Sequence, residues 1–132
     1  MIGASEAIQV ALVAALTGHA PLAESVSGVF DGPPAQADYP YVAIGGGATG
    51  DWSHKTGRGR EHRLAVTIWD DGDSPARLHR LMAEIEEAVE HIPPDLEDHR
   101  IISLTFLRSR VIRDADGPWA GIVEYRARTL QG

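Results

Sequence analysis

Residues 45–69 read GGGATGDWSHKTGRGREHRLAVTIW, and two kinds of chain meet within them. The first part carries six glycines among polar and charged residues, which predicts a loop or hairpin insert suited to moving or docking rather than to packing a core. The second part alternates. His62, Leu64, Val66 and Ile68 share one face of a strand, and Arg63, Ala65, Thr67 and Trp69 share the other. The leucine–valine–isoleucine face is expected to meet helices.

The flanking elements follow from that strand. After the acidic turn Asp70–Asp73, Ser74 reads as an N-cap and Pro75 as a first helical position. The segment ARLHRLMAEIEEAVEHI puts Leu78, Leu81, Met82, Ile85, Val89 and Ile92 on one stripe, with glutamates mostly on the wet side. Roughly sixteen helical residues span about 24 Å, close to the length of an eight-residue strand, so the two can cover one another. Pro93-Pro94 stops the helix.

Upstream, residues 5–16 predict a helix capped by Ser5 and ended at Gly18, followed by a short second turn within 19–27. The chain breaks at Asp31-Gly32-Pro33-Pro34, and YPYVAI at 39–44 is a short strand. Downstream, 100–113 is a long strand with Ile102, Leu104 and Phe106 on one face, and Ile101, Ser103, Thr105 and Leu107 on the other. A bulge or exposed end is expected after Leu107. DADGP at 114–118 is a turn, and 119–130 is the last strand.

Together these predict one α+β domain over residues 1–132: two main helices on one face of a mainly antiparallel four-stranded sheet, with a long glycine-rich loop or hairpin insert. The uncovered face would carry Arg63, Thr67, Trp69, Ser103, Thr105, Glu124, Arg126 and Arg128, with Trp69 and Leu107 as apolar anchors. It is a candidate subunit interface.

A chain of 132 residues with 43% apolar content supports one ordinary core. Cysteine is absent, which removes disulfides, thiol catalysis and thiolate metal sites. The N-terminal segment has no basic leader and no long apolar run, so neither a signal peptide nor a membrane span is expected. Net charge is −7, which discourages tight nucleic-acid binding. The first fifty residues hold no lysine or arginine, whereas arginines gather at 58–63, 108–113 and 126–128. Such separation of sign suits contacts between copies or partners.

Catalytic and cofactor chemistry finds no footing. The glycine clusters lack the lysine and the following helix of a phosphate loop. Asp51, Ser53 and His54 are adjacent residues on an insert, which do not by themselves hold a catalytic geometry. His54 and His62 read as two exposed loop histidines near a salt-bridged Glu61, and Asp70, Asp71 and Asp73 as a solvated turn. No catalytic, cofactor or metal residue is assigned.

The order and spacing of VFDGPP, YPYVAIG, DWSHKTGRGREHRLAVTIWD, the proline-started helix and HRIISLTFLRSRVIRDADGPWAGIVEYRA resemble the small tail-completion proteins of long-tailed phages. The resemblance spans nearly the whole chain and is strongest to the tail terminator of a gene transfer agent. It implies a non-enzymatic ring, usually hexameric, that caps the head-proximal end of the tail tube and stops its polymerisation. The implied partners are further copies, the major tail tube protein and a head-side connector or head-closure protein. DNA would pass through the channel without sequence-specific binding, and an acidic lining would repel it. The implied location is the tail or neck of the particle, after a stage in the cytoplasm of the producing bacterium. The alternative in the same particle is a head-closure or other head–tail joining protein; outside it, an unrelated dimeric α+β binding protein. On this resemblance the interface candidates are Trp52, Lys55, Arg58 and Arg60 in the insert, with Arg63, Trp69, Arg108, Arg110, Arg126 and Arg128 on the strands.

Overall fold

A computed structural model describes residues 1–113, 115 and 117–132; the expected turn at 114–118 includes Asp114 and Asp116, which lie outside them. The helices are α1 (Ala4–Thr17), α2 (Ala20–Ala23) and α3 (Ala76–Glu90). The strands are β1 (Val29–Asp31), β2 (Tyr41–Gly45), β3 (Thr49–Asp51), β4 (Gly59–Asp70), β5 (His99–Arg113) and β6 (Trp119–Gln131). The sheet runs β1-β2-β4-β6-β5, with β3 paired to β4 beside β2.

This corrects the expected two helices on a four-stranded antiparallel sheet. The described residues form three helices, and their six-stranded sheet is mixed because β1 runs parallel to β2. β1 has only three residues and no polar–apolar alternation, so it exists through its pairing of Val29 with Val42 and Asp31 with Ile44. β3 comes from the insert itself, where Thr49, Gly50 and Asp51 pair with His62, Glu61 and Arg60.

The central strands match their alternation. His62, Leu64, Val66, Ile68 and Asp70 of β4 are buried, as are Val123, Tyr125, Ala127 and Thr129 of β6. α3 lies across these two strands, and α1 packs against α2, α3 and β1. Leu12, Leu16, Leu78 and Ile85 are fully enclosed; each such side chain contributes about 2 kcal/mol through removal from water. Gly3, not Ser5, precedes α1, and the Ser5 hydroxyl instead lies 3.4 Å from that of Thr49. Gly18 ends α1 as expected, while α3 starts at Ala76, one residue beyond the expected Pro75.

β5 departs from simple alternation. The register shifts between Ile101 and Ser103 and again between Phe106 and Arg108. Each extra residue reverses the faces that follow. The helix side therefore receives Ile101, Leu104 and Phe106, opposite Thr129, Ala127 and Tyr125, while the bulged Ile102 is left exposed. The grouping of Ile102 with Leu104 and Phe106 is thus corrected.

Candidate functional site

The insert is an ordered hairpin. Trp52 N–H donates to Gly59 O at 3.0 Å, and His54 N–H to Gly57 O at 2.8 Å, which closes the turn at Lys55-Thr56. Ser53 Oγ donates to Asp51 Oδ1 at 2.6 Å and accepts from Gly59 N–H at 3.1 Å. Two glycines permit close backbone approach. A Cβ on Gly59 would stand 2.2 Å from Trp52 O, and one on Gly47 would stand 1.9 Å from Arg63 O. Lys55 in the turn and Arg58 just beyond it are exposed, and neither makes an ion pair among the described residues. Arg60 pairs with Asp51 at 3.2 Å. The Ser53 hydroxyl, with Arg60 contributing, holds the Asp51 carboxyl below the usual aspartate range.

The hairpin is tied to the body by buried polar contacts. His62 lies between Thr49 Oγ1 at 3.2 Å from Nδ1 and Thr129 Oγ1 at 3.0 Å from Nε2. It is a core residue with 1% exposure, which corrects its reading as an exposed loop histidine. Burial, aided by the neighbouring His99 and Arg60, pushes its pKa down. Asp70 is likewise fully enclosed rather than part of a solvated turn. Its carboxylate accepts from Arg77 Nε at 2.9 Å and from Arg77 Nη2, which holds it below the usual aspartate range. Both residues continue the β4 alternation, the one signal that could have placed them inside.

The uncovered sheet face is basic. Arg63 and Arg126 stand directly opposite one another on β4 and β6, a juxtaposition of like charges that is unfavourable by itself. Arg126 Nε is buried without a hydrogen-bond partner. Around this centre Arg128 Nε donates to Glu61 Oε2 at 2.9 Å, with its guanidinium 5.4 Å over the Trp52 ring. Arg108 Nε donates to Glu124 Oε2, and Arg110 lies 3.9 Å from the same oxygen. These arginine hydrogen bonds hold both glutamate carboxyls below their usual range. Trp69 is half-buried on this face, opposite Tyr41 and Ala120. The sheet thus brings Trp52, Arg63, Arg108, Arg110, Arg126 and Arg128 onto one surface; Lys55 stands apart at the hairpin tip, and Arg58 lies at its base, where its carbonyl accepts from Gln131 N–H.

Sequence reasoning missed the free edge. β5 is an outer strand of fifteen residues with Ile102, Phe106, Val111 and Ile112 all at least 36% exposed. A long edge with exposed apolar side chains invites pairing with another chain. Between this edge and α3 runs a groove of about 290 Å³ lined by Glu86, Glu90, Ile101, Leu104, Phe106 and Tyr125. Its signal in the sequence was the pair Glu86 and Glu90, one helical turn apart. A larger groove of about 520 Å³ beside α1 is floored by Ala11, Ala14 and Ala15. Among the described residues no group of three or more His, Asp or Glu side chains is placed to hold a metal ion.

This arrangement, with protein-docking features and no converging catalytic groups among the described residues, agrees with the comparisons. A chain in the virion of a native gene transfer agent particle superposes with a TM-score of 0.76 at 25% identity, over 100% of both chains. The bacteriophage SPP1 gp17 protein superposes with a TM-score of 0.67 at 27% identity, over 94% of this chain and 89% of that one. Tail completion protein gp17 of Bacillus phage SPP1 is 29% identical over 124 residues, 93% of this chain and 92% of that protein. The family model described as tail completion protein gp17 matches residues 10–130. The chain therefore belongs to the tail completion protein gp17 family, structural proteins of phage-like tails and not enzymes.

Proposed function

We propose that this chain assembles into a ring, hexameric in the fullest form of the reading, that caps the head-proximal end of a phage-like tail tube. The ring ends tube growth and presents a surface to the head-side connector. The observation that carries the reading is the end-to-end match to a chain of a gene transfer agent virion. The surface supports it. A head-to-tail ring needs two unlike patches on one chain, and this chain carries a basic sheet face and an acidic α3.

The basic face, centred on Arg63 and Arg126, is a protein contact in this reading, with Trp69 as its apolar anchor. The hairpin from Trp52 to Arg60 reaches a neighbouring subunit or the tube. The channel passes DNA without reading its sequence, and before assembly the subunit resides in the cytoplasm of the producing bacterium. Electron microscopy of the purified chain, alone and mixed with tail tubes, tests this directly. Rings seated on tube ends are expected. Binding to isolated connectors with no affinity for tube ends would favour a head-closure role, and binding to neither would remove the assignment.

A further inference from the structure

The α3–β5 groove has the chemistry of a socket for a cation. Glu86 and Glu90 sit one turn apart on α3 and line it, and neither makes an ion pair among the described residues. Two like charges at that spacing repel one another unless a cation lies between them. Tyr125, which is 4% exposed, also lines the groove, and its hydroxyl is buried with no hydrogen-bond partner. A buried unpartnered hydroxyl is uncommon and costs stability unless something supplies its bond. The remaining wall is apolar, with Leu104, Ile101 and the ring of Phe106, which stands edge-on to Tyr125 at 6.0 Å. Apolar walls, two carboxylates and a phenol oxygen match a long aliphatic stem ending in a positive head.

The chain itself carries such groups on its hairpin. The hairpin tip at Lys55-Thr56 extends past the first residue of β4, where Arg58 O accepts from Gln131 N–H of β6, whereas the groove runs between α3 and the edge strand β5. Tip and groove are therefore separate surfaces of one chain, as the two unlike patches of a head-to-tail ring must be. The hairpin residues Lys55 and Arg58 are exposed and without an ion-pair partner among the described residues. The geometry points to the α3–β5 groove as the socket into which a second copy inserts its basic hairpin tip, with Lys55 and Arg58 facing Glu86 and Glu90. This rests on the ring reading above and names the contact that closes it. Burial raises the Tyr125 pKa and the carboxylates of Glu86 and Glu90 raise it further, so the phenol stays neutral and can accept from the incoming cation.

The absence of cysteine makes the test clean. Two single variants, Lys55→Cys and Glu90→Cys, are mixed, treated with a short bismaleimide and compared with each variant alone. A covalent dimer only in the mixture is expected, and the double variant K55C/E90C should give a ladder up to the ring. In parallel, Lys55→Glu with Arg58→Glu should weaken association about tenfold, the worth of two surface ion pairs. Adding Glu86→Lys and Glu90→Lys to that variant should restore it. Rings that form without the mixed cross-link and are indifferent to both reversals would overturn the socket and leave the ring reading standing. A wild-type chain that stays monomeric with and without tail tubes would remove the ring reading, and this contact with it.

Discussion

Replacing Gly59 by alanine should detach the hairpin while leaving the sheet intact. The new Cβ would stand 2.2 Å from the Trp52 carbonyl oxygen and 2.9 Å from its carbon, separations that real Cβ atoms essentially never show. Both are backbone atoms, so relief requires β3 and the tip to withdraw from β4 by about 1 Å. That movement breaks the Trp52 N–H bond to Gly59 O and the Gly59 N–H bond to Ser53 Oγ, now 3.0 and 3.1 Å long. It also loosens the Asp51–Arg60 pair. Each of the two hydrogen bonds is worth about 0.5–1.5 kcal/mol net, for a loss of about 1–3 kcal/mol. For a chain of this size that lowers Tm by roughly 4–11 °C. The control is Gly46→Ala, where the added Cβ meets nothing within 4 Å, and a change within about 0.5 kcal/mol is expected. Thermal melts give the totals, and amide hydrogen exchange gives the location: protection should fall at Trp52 and His54 and hold at Val66 and Val123. Equal melts for the two variants with unchanged exchange at Trp52 would refute the claim that close packing at Gly59 holds the hairpin in place.

Three further outcomes follow from the buried polar groups. Arg77→Leu leaves the enclosed Asp70 carboxylate without its partner and should cost about 3 kcal/mol in urea unfolding; a loss under about 1 kcal/mol would mean that Asp70 finds other compensation. Because the folded-state pKa of Asp70 is depressed, that pair's stability is present above the ordinary aspartate pKa and is lost as acid carries the pH down through the lowered value. The His62 pKa is also depressed, so its contribution is full above the ordinary histidine pKa of about 6.5 and declines as pH falls below it; wild-type Tm should drop more steeply between pH 7 and 5 than that of His62→Gln, and parallel slopes would clear His62 of this role. Tyr125→Phe removes a hydroxyl without a partner and should raise the stability of the isolated chain by about 1 kcal/mol, while weakening association if the socket is real; a destabilised monomer would show that the hydroxyl is bonded after all.

The parts of the fold legible in the sequence are those in which local pattern and tertiary burial agree. β4 alternates cleanly, and α3 carries its apolar residues on one stripe. Their packing against one another follows from those two facts. β1 and β3 were illegible because each is three residues long and held by its neighbour's hydrogen bonds, not by its own side chains. The β5 bulges were half legible. The loss of pattern after Leu107 marked one, while Ile101-Ile102 offers two equivalent side chains and no hint of which faces in. His62 and Asp70 were misjudged because polarity was weighed above their place in an alternating strand. The basic sheet face was legible residue by residue. The socket was not, because it depends on a hydroxyl from β6, two carboxylates from α3 and a bulged edge strand meeting at one point.

The charge pattern joins these surfaces. The chain is acidic overall, at −7, yet among the described residues its uncovered sheet face sets Arg63, Arg108, Arg110, Arg126 and Arg128 against Glu61 and Glu124. A ring that lined its channel with that face would hold DNA through phosphate contacts and release it only as salt rose. A conduit for DNA works against that outcome. The basic face is better spent on protein contacts, where opposite charge steers subunits into register and disfavours wrong pairings. In the proposed ring the α3–β5 groove takes the hairpin tip of the next copy, which leaves the basic sheet face for a different protein surface, and the glutamates outside the groove would face solvent or the channel. Net acidity and a basic interface are thus compatible demands on one subunit of the proposed ring: the first would keep it from binding DNA, and the second would make each copy complementary to the next rather than to itself, which is the condition for closing a ring instead of stopping at a dimer.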